Sequence, residues 1–127
     1  MKVVLDTSAL IYWTLDPAKL TAPAAEAIAQ ATEIVVSAIS VWEIGLKVKR
    51  GKLELPLSLH AYVDRLKRLE RLTIEAVTIA VWLENLALAW EHRDPADRTI
   101  VATAVLAGCP LISSDGVIRE FYPQAIW

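Results

Sequence analysis

The sequence predicts an α/β fold, a three-layer α/β/α sandwich with helices on both faces of a parallel sheet of about four to five strands. Short apolar runs alternate along the chain with longer segments of helical periodicity. The runs contain almost no polar residues, which is typical of strands buried on both faces. No internal repeat, low-complexity stretch or linker interrupts this order, so we expect a single domain over residues 1–127.

The first half of the chain predicts two strands and four helices. Residues 2–5 form an apolar run typical of a buried strand, and a polar triplet after it is able to cap a helix that begins at Ala9. Residues 21–31 are rich in alanine, with a proline in the first turn, and predict a second helix. Residues 34–36 predict the second strand. A serine then caps a third helix, and apolar residues at helical spacing between positions 59 and 69 predict a fourth.

The second half continues the alternation. Residues 73–77 predict a third strand and residues 80–90 an apolar helix. An Asp-Pro pair opens a further helix over residues 94–106, because proline is favoured at the first helical position. Residues 110–113 predict the fourth strand, and residues 121–127 have the composition of a short edge strand.

Composition narrows the class of protein. Hydrophobic residues make up 55% of the 127 residues and charged residues 22%, which predicts a folded chain. The mean hydropathy of +0.41 is high and suggests a subunit or partner interface. Charges interrupt every apolar run before it reaches a membrane span, and the first residues are too few and too quickly acidic for a signal peptide. The single cysteine, Cys109, excludes an intramolecular disulfide and a cysteine-based zinc site. We therefore expect a cytoplasmic protein.

Charge is distributed unevenly. The net charge is −2, but residues 47–71 hold eight of the 13 basic residues and three acids. That segment has a net charge of +5 and the remainder −7. A basic flank beside an acidic pocket suits a polyanion held by its backbone, although two ordinary solvated helix faces explain the same pattern.

Four acidic residues form the candidate site. Asp6 and Asp115 each follow a predicted strand, Asp97 lies in the first turn of a helix, and Glu43 lies within an apolar helical stretch. An α/β fold gathers the carboxyl ends of its strands and nearby helix starts into one crevice. Carboxylates gathered there repel one another unless a cation neutralises them, and oxygen ligands of this kind suit Mg²⁺ or Mn²⁺.

Each acid also has a purely structural explanation. Asp6 is a good helix N-cap, Asp97 stands where a capping box places its acid, and an Asp-Gly pair at position 115 is an ordinary turn. Glu43 is harder to explain in this way, because a carboxylate among apolar neighbours is disfavoured unless it is paired or bound to a metal. We assign Asp94 to capping alone.

Other residues support or limit this interpretation. Thr7 and Ser113 are candidates to orient the carboxylates through hydrogen bonds. The histidines, His60 and His92, have no serine or cysteine arrangement around them, and we interpret both as structural or exposed. No glycine-rich nucleotide or phosphate motif is present.

Four short motifs give the chain a family resemblance. In this order and spacing the chain resembles the PIN-domain nucleases, and within them the VapC-type toxins of toxin–antitoxin pairs. The motifs are Val4-Leu5-Asp6-Thr7-Ser8-Ala9, Ser40-Val41-Trp42-Glu43-Ile44, His92-Arg93-Asp94-Pro95-Ala96-Asp97-Arg98 and Leu111-Ile112-Ser113-Ser114-Asp115. Two departures are mild: Ala96 stands where many relatives have an aromatic residue, and Ser113 where threonine is common.

The resemblance implies a metal-dependent endoribonuclease of single-stranded RNA. Asp6, Glu43, Asp97 and Asp115 would be the catalytic quartet, with Asp6, Asp97 and Asp115 holding Mg²⁺ or Mn²⁺. Glu43 would position the attacking water or a second metal. The basic residues beyond Glu43 are our candidates for binding the RNA backbone, and they are Lys47, Lys49, Arg50 and Lys52.

The resemblance also implies a homodimer and a cognate antitoxin whose tail enters a hydrophobic groove towards the acidic pocket. Trp13 and Trp42 are our candidates to line that groove. Two alternative functions fit the sequence less well. A non-catalytic protein- or RNA-binding module is disfavoured because all four acids are present, and a phosphatase of the haloacid dehalogenase type because Ser8 stands where its second aspartate belongs.

Overall fold

A five-stranded parallel sheet forms the centre of the molecule. The computed structural model describes residues 1–127, and the order of strands across the sheet is β3-β2-β1-β4-β5. All four neighbouring pairs of strands are parallel. The strands are β1 (Lys2–Leu5), β2 (Glu33–Ser37), β3 (Leu72–Glu75), β4 (Leu111–Ile112) and β5 (Ala125–Ile126).

Helices connect the strands and cover both faces of the sheet, as right-handed crossovers between parallel strands require. Capping side chains begin most of them: Asp6, Thr21, Ser37, Ser58 and Thr78 each accept a backbone N–H from the helix that follows. The helices are α1 (Thr7–Leu15), α2 (Ala22–Gln30), α3 (Ala38–Lys49), α4 (Leu59–Lys67), α5 (Ile79–Ala87), α6 (Pro95–Ala107) and α7 (Gly116–Phe121).

Alternate residues of the central strand face two separate cores. Val3 and Leu5 of β1 pack with residues of α1, α2, α3 and α4. Val4 faces the opposite side, where it packs with Ile100 of α6 and Ile118 of α7. The side chains of all five residues are fully buried. The expected three-layer α/β/α sandwich is therefore confirmed, and none of the helices combines the length and the apolar character needed to cross a membrane.

Two local predictions were wrong. The apolar helix expected to continue to residue 90 ends at Ala87, and residues 88–93 have no regular secondary structure. The guanidinium of Arg98 donates hydrogen bonds to the carbonyl oxygens of Leu88, Trp90 and His92, which gives this segment's backbone partners outside a helix. The second error is an omission: no helix was expected between the fourth strand and residue 121, yet helix α7 begins at Gly116 with Asp115 as its cap.

Candidate active site

The site lies where the order of the strands reverses. The chain runs outward from β1 to β2 and β3, and then returns to the other side of β1 as β4. Leu5 of β1 pairs with Ile112 of β4 on one side and with Val36 of β2 on the other, so the carboxyl ends of these strands are level. In open α/β sheets a crevice forms at such a switch point. Asp6 and Ser113 directly follow β1 and β4 there.

Asp6 is the most buried acid of the site, with 4% of its surface exposed. Its Oδ1 accepts the Ala9 N–H at 2.8 Å and caps α1. Burial raises the pKa of Asp6 to about 6, because a charged carboxylate loses hydration there. Hydrogen bonds from the Ser113 side chain and the Ala9 backbone oppose this rise, while the negative charges of Asp97 and Asp115 add to it. The capping role and the electrostatic role thus belong to the same side chain.

Glu43 reaches the same region from α3. Its Oε1 accepts a hydrogen bond from the Thr7 hydroxyl, and Thr7 Oγ1 lies 2.9 Å from Oγ of the buried Ser40. Burial raises the pKa of Glu43, the Thr7 hydrogen bond lowers it, and the charges of Asp94 and Asp97 raise it further. Thr7 therefore contacts one of the carboxylates that it was expected to orient.

Asp97 is held by a residue that sequence reasoning set aside. His92 Nε2 lies 2.8 Å from Asp97 Oδ2, and the two side chains are 25% and 22% exposed. Burial raises the pKa of Asp97, the hydrogen bond to His92 lowers it, and the charges of Asp94 and Asp115 raise it. The carboxylate of Asp97 turns to His92, and it is Asp94 that accepts the Asp97 N–H, at 2.9 Å.

Asp115 approaches from the end of β4. Its Oδ1 accepts the backbone N–H groups of Val117 at 2.8 Å and Ile118 at 3.2 Å, which begins α7. The Ser113 hydroxyl oxygen, fully buried, accepts the Asp115 N–H at 3.1 Å. The Ser113 side chain therefore acts on two of the acids. It accepts the backbone N–H of Asp115, and it lowers the pKa of Asp6. Asp97 acts electrostatically on both Asp6 and Glu43, and Asp115 acts on Asp6 and Asp97.

A cleft of about 270 Å³ joins Glu43 to part of the basic flank. Lys47, Arg50 and Lys52 line it on one side and Asp94 on the other. Lys49 does not line this cleft, because a helical residue two positions from Lys47 points away from it. Three of the four candidate RNA-binding residues therefore share a cavity with an acid of the quartet.

The donor set fits a hard divalent cation, since every acid of the quartet supplies carboxylate oxygens and burial raises the pKa of Asp6, Glu43 and Asp97. The arrangement is open, however. No three His, Cys, Asp or Glu side chains converge closely enough to form a ready-made metal cage. Each acid instead has one oxygen engaged by a protein donor or by His92. The carboxylates are therefore spread over the site rather than gathered around one point.

The two tryptophans proposed for one groove line different cavities. Trp42 is 57% exposed and borders the acidic cleft, the cavity that contains Glu43 and Asp94. It also borders an adjacent apolar groove of about 480 Å³ that contains Ile39, Val77 and Trp82. Trp13 instead lines a separate groove with Tyr62 and neighbouring apolar residues. The expectation of a single groove containing both was wrong, because α1 places Trp13 on the side of α4, away from the acidic cleft.

Sequence reasoning missed two residues of the site. His92 was treated as structural or exposed, and Asp94 as a cap alone. Asp94 does cap α6, but it also lines the acidic cleft and acts electrostatically on Glu43 and Asp97. Only their position in the same short motif as Asp97 could have indicated this role.

The fold is an α/β sandwich whose parallel sheet has acidic residues around its switch point. The family model described as PIN domain matches residues 3–122. The chain is 30% identical to ribonuclease VapC22 of Mycobacterium tuberculosis, and the match covers 98% of both chains. The chain therefore belongs to the PIN-domain family.

Solved structures share the fold at lower identity. A toxin–antitoxin complex from Klebsiella pneumoniae matches with a TM-score of 0.67 at 20% identity, covering 98% of this chain and 96% of that one. VapC20 of Mycobacterium tuberculosis, a toxin that cleaves the sarcin–ricin loop, matches with a TM-score of 0.65 at 18% identity, covering 93% of each. VapBC2 of Rickettsia felis bound to a promoter DNA fragment matches with a TM-score of 0.68 at 18% identity, covering 98% and 96%.

Proposed function

We propose that this protein is a metal-dependent endoribonuclease that cleaves phosphodiester bonds of single-stranded RNA and acts as the toxin of a toxin–antitoxin pair. The observation that supports this proposal is electrostatic: burial raises the pKa of Asp6, Glu43 and Asp97, and the charge of Asp97 acts on both Asp6 and Glu43, while that of Asp115 acts on Asp6 and Asp97. The relationship to a ribonuclease over nearly the whole chain supports the same activity.

The four acids have different proposed roles in catalysis. Asp6, Asp97 and Asp115 are the residues that would hold Mg²⁺ or Mn²⁺, and the bound ion would polarise the scissile phosphate and lower the pKa of an attacking water. Glu43 keeps one oxygen on Thr7 and has the other available to accept a proton from water. Its raised pKa makes Glu43 a stronger proton acceptor than an ordinary glutamate.

The decisive variant is Asp6→Asn, which keeps the size and the capping ability of the side chain while removing its charge. We expect cleavage of a fluorogenic single-stranded RNA to fall by at least about a hundredfold, with the circular dichroism spectrum unchanged. Asp16→Asn is the matched control, because Asp16 is exposed and lies outside the cleft. An Asp6→Asn protein that cuts at the rate of the unchanged protein would refute the assignment.

Metal dependence is tested by depletion. Chelation should abolish cleavage, and added Mg²⁺ or Mn²⁺ should restore it. The same ions should also raise the melting temperature of the unchanged protein, because an ion that binds only the folded state stabilises it. Activity that survives exhaustive chelation would contradict this part of the proposal.

We propose that the basic residues lining the acidic cleft bind the RNA backbone. Lys47, Arg50 and Lys52 lie close enough to Glu43 to line the same cavity, so a strand whose phosphates contact them would pass the quartet. Lys49 lacks this support and is the weakest of the four candidates. Because cellular RNA is the substrate class, we propose the cytoplasm as the compartment.

We propose that the cognate antitoxin enters through the apolar groove that adjoins the acidic cleft. This groove has almost no polar lining and shares Trp42 and Pro95 with the cleft, so an apolar segment seated there would lead towards the carboxylates. A Trp42→Glu variant should lose co-purification with the protein encoded by the adjacent reading frame. Retention of that partner at unchanged yield would contradict the groove assignment.

We propose that the protein forms a homodimer in which a second copy of the chain packs against the exposed face of α5. Ile79, Leu83 and Leu86 are 73%, 62% and 78% exposed and recur at helical spacing, whereas Val81 and Asn85 are buried on the opposite side. A two-fold axis brings the same patch of each copy together, so a single apolar helix face can complement itself.

A further inference from the structure

We propose that His92 is a positioning residue that holds the Asp97 carboxylate in its working orientation through a hydrogen bond from Nε2. The proposal rests on the ribonuclease function proposed above, in which Asp97 is one of the acids. The geometry is direct: Nε2 lies 2.8 Å from Asp97 Oδ2. His92 lies outside α6, in the irregular segment before it, so its approach to Asp97 is not a by-product of helical spacing.

The imidazole ring is fixed by aromatic packing. Its centroid lies 4.8 Å from that of Trp90, and the Trp90 ring stacks on Phe121 at 4.5 Å with an angle of 9° between the ring planes. Such pairs are favourable beyond the area that they bury. Phe121 belongs to α7, whose cap is Asp115, so the same packing connects two acids of the site.

The backbone of His92 is fixed as well. Arg98 donates hydrogen bonds to the carbonyl oxygens of Trp90 at 2.6 Å and of His92 at 3.1 Å. Arg98 directly follows Asp97 on α6, so the segment that carries the imidazole and the helix that carries the carboxylate are tied together. A histidine held on both its ring and its backbone can orient a partner without moving itself.

The consequence for Asp97 is a fixed rotamer with one oxygen unoccupied. Oδ2 is taken by His92, and no donor of the chain is bonded to Oδ1. A second partner that binds one carboxylate oxygen leaves the other directed and available to a cation or a water molecule. Without the imidazole, Asp97 would sample other rotamers, and the charge of Asp94 would repel it.

Two variants separate the hydrogen bond from the ring packing. His92→Gln keeps a side-chain N–H at a similar reach and loses the ring, whereas His92→Phe keeps the ring on Trp90 and loses the N–H. We expect His92→Phe to lower kcat about 10–100-fold with KM changed far less, and His92→Gln to stay within about threefold of the unchanged protein. A stronger defect in His92→Gln than in His92→Phe would overturn the proposal.

Metal binding supplies a readout other than activity. Calorimetric titration of the metal-free proteins with Mn²⁺ should give an affinity about 10–100-fold weaker for His92→Phe than for His92→Gln. Equal affinities in two folded variants would also overturn the proposal. If His92→Phe does not fold, imidazole ¹⁵N NMR of the unchanged protein decides: Nε2 must carry a proton, and a bare Nε2 facing Asp97 would rule out the donated bond.

The same experiments distinguish this proposal from the one on which it rests. If Asp6→Asn cleaves RNA normally, the ribonuclease assignment fails whatever His92 does. If Asp6→Asn is inactive while His92→Phe cleaves RNA and binds Mn²⁺ like the unchanged protein, only the role of His92 fails.

Discussion

The hydroxyl of Thr7 donates a hydrogen bond to Oε1 of Glu43, and this contact joins the first residue of α1 to the middle of α3. It links the ends of two neighbouring strands, because α1 follows β1 and α3 follows β2. Asp6 precedes Thr7 directly, so the backbone that positions one carboxylate also carries the hydroxyl that orients another.

Replacing Thr7 by valine should test that relationship. Valine keeps the shape and loses the hydroxyl, so we expect kcat/KM to fall about tenfold, since a hydrogen bond to a charged group contributes roughly 1.5 kcal/mol. The hydroxyl lowers the pKa of Glu43, so its loss raises that pKa. The defect should therefore be larger at the acidic end of a pH–rate profile than at its alkaline end. Thr7→Ser retains the hydroxyl, and equal defects in both variants would contradict the prediction.

Asp6 should make the metal-free protein less stable as the pH rises. Its pKa is about 6 in the folded state against an ordinary 3.8, so its contribution to stability is fully present below about pH 3.8 and is lost as the pH rises through about 6. The difference of about two pKa units corresponds to roughly 3 kcal/mol. Asp6→Asn should thus be more stable than the unchanged protein at about pH 8 by up to that amount, and equal to it at about pH 3.5.

Urea unfolding in the presence of a chelator measures this difference, and comparing the two proteins at each pH cancels the titration of other groups. A stability difference between the two proteins that does not change with pH would argue against a raised pKa for Asp6.

The basic residues that line the acidic cleft should contribute to the salt dependence of RNA binding. Lys47→Ala and Arg50→Ala should each reduce the slope of log Kd against log salt by about 0.7, the value for one phosphate contact on a single strand. Lys49→Ala is the matched control, because it removes the same charge from the same helix but lies outside the cleft. Fluorescence anisotropy with the Asp6→Asn protein avoids cleavage during the titration. Equal slopes for all three variants would mean that net charge alone attracts the RNA.

Arg98 should be more important for stability than its partial exposure suggests. Its guanidinium donates hydrogen bonds to the carbonyl oxygens of Asn85 at 2.5 Å and Leu88 at 3.2 Å, in addition to those of Trp90 and His92. Lysine has no planar fork of donors and cannot reach them together. We expect Arg98→Lys to lose roughly 2–4 kcal/mol of unfolding free energy, measured in urea.

The control for that measurement is Arg93→Lys, because Arg93 is exposed and makes no side-chain hydrogen bond or ion pair. If both variants lose the same stability, the four carbonyl contacts of Arg98 contribute nothing of their own.

The outer face of α5 should control oligomeric state. Leu83→Glu places a charge in the middle of an exposed apolar face, so it should convert a dimer to a monomer in multi-angle light scattering. Leu106→Glu is the control, since Leu106 is a comparably exposed leucine at 51% on α6. An unchanged protein that is monomeric at every concentration would remove the dimer from the proposed function.

The sequence by itself determined the fold class and the positions of the four acids along the chain. Strand and helix periods are local properties, so the apolar runs that became β1 and β2, and the helices between them, could be recognised from a few neighbouring residues. The placement of Asp6 and Asp115 after strands followed from the same patterns. Ala125–Ile126 also forms the short edge strand expected of the C-terminal residues.

Only the tertiary structure decided which side chains meet. Thr7 and Glu43 are 36 positions apart, and their contact depends on how α1 and α3 pack against the sheet. His92 reaches Asp97 because Arg98 and Trp90 hold the irregular segment before α6, whose first residues, 88–90, were predicted to be helical. Such contacts arise from packing between distant elements, and no local period of hydrophobic residues encodes them.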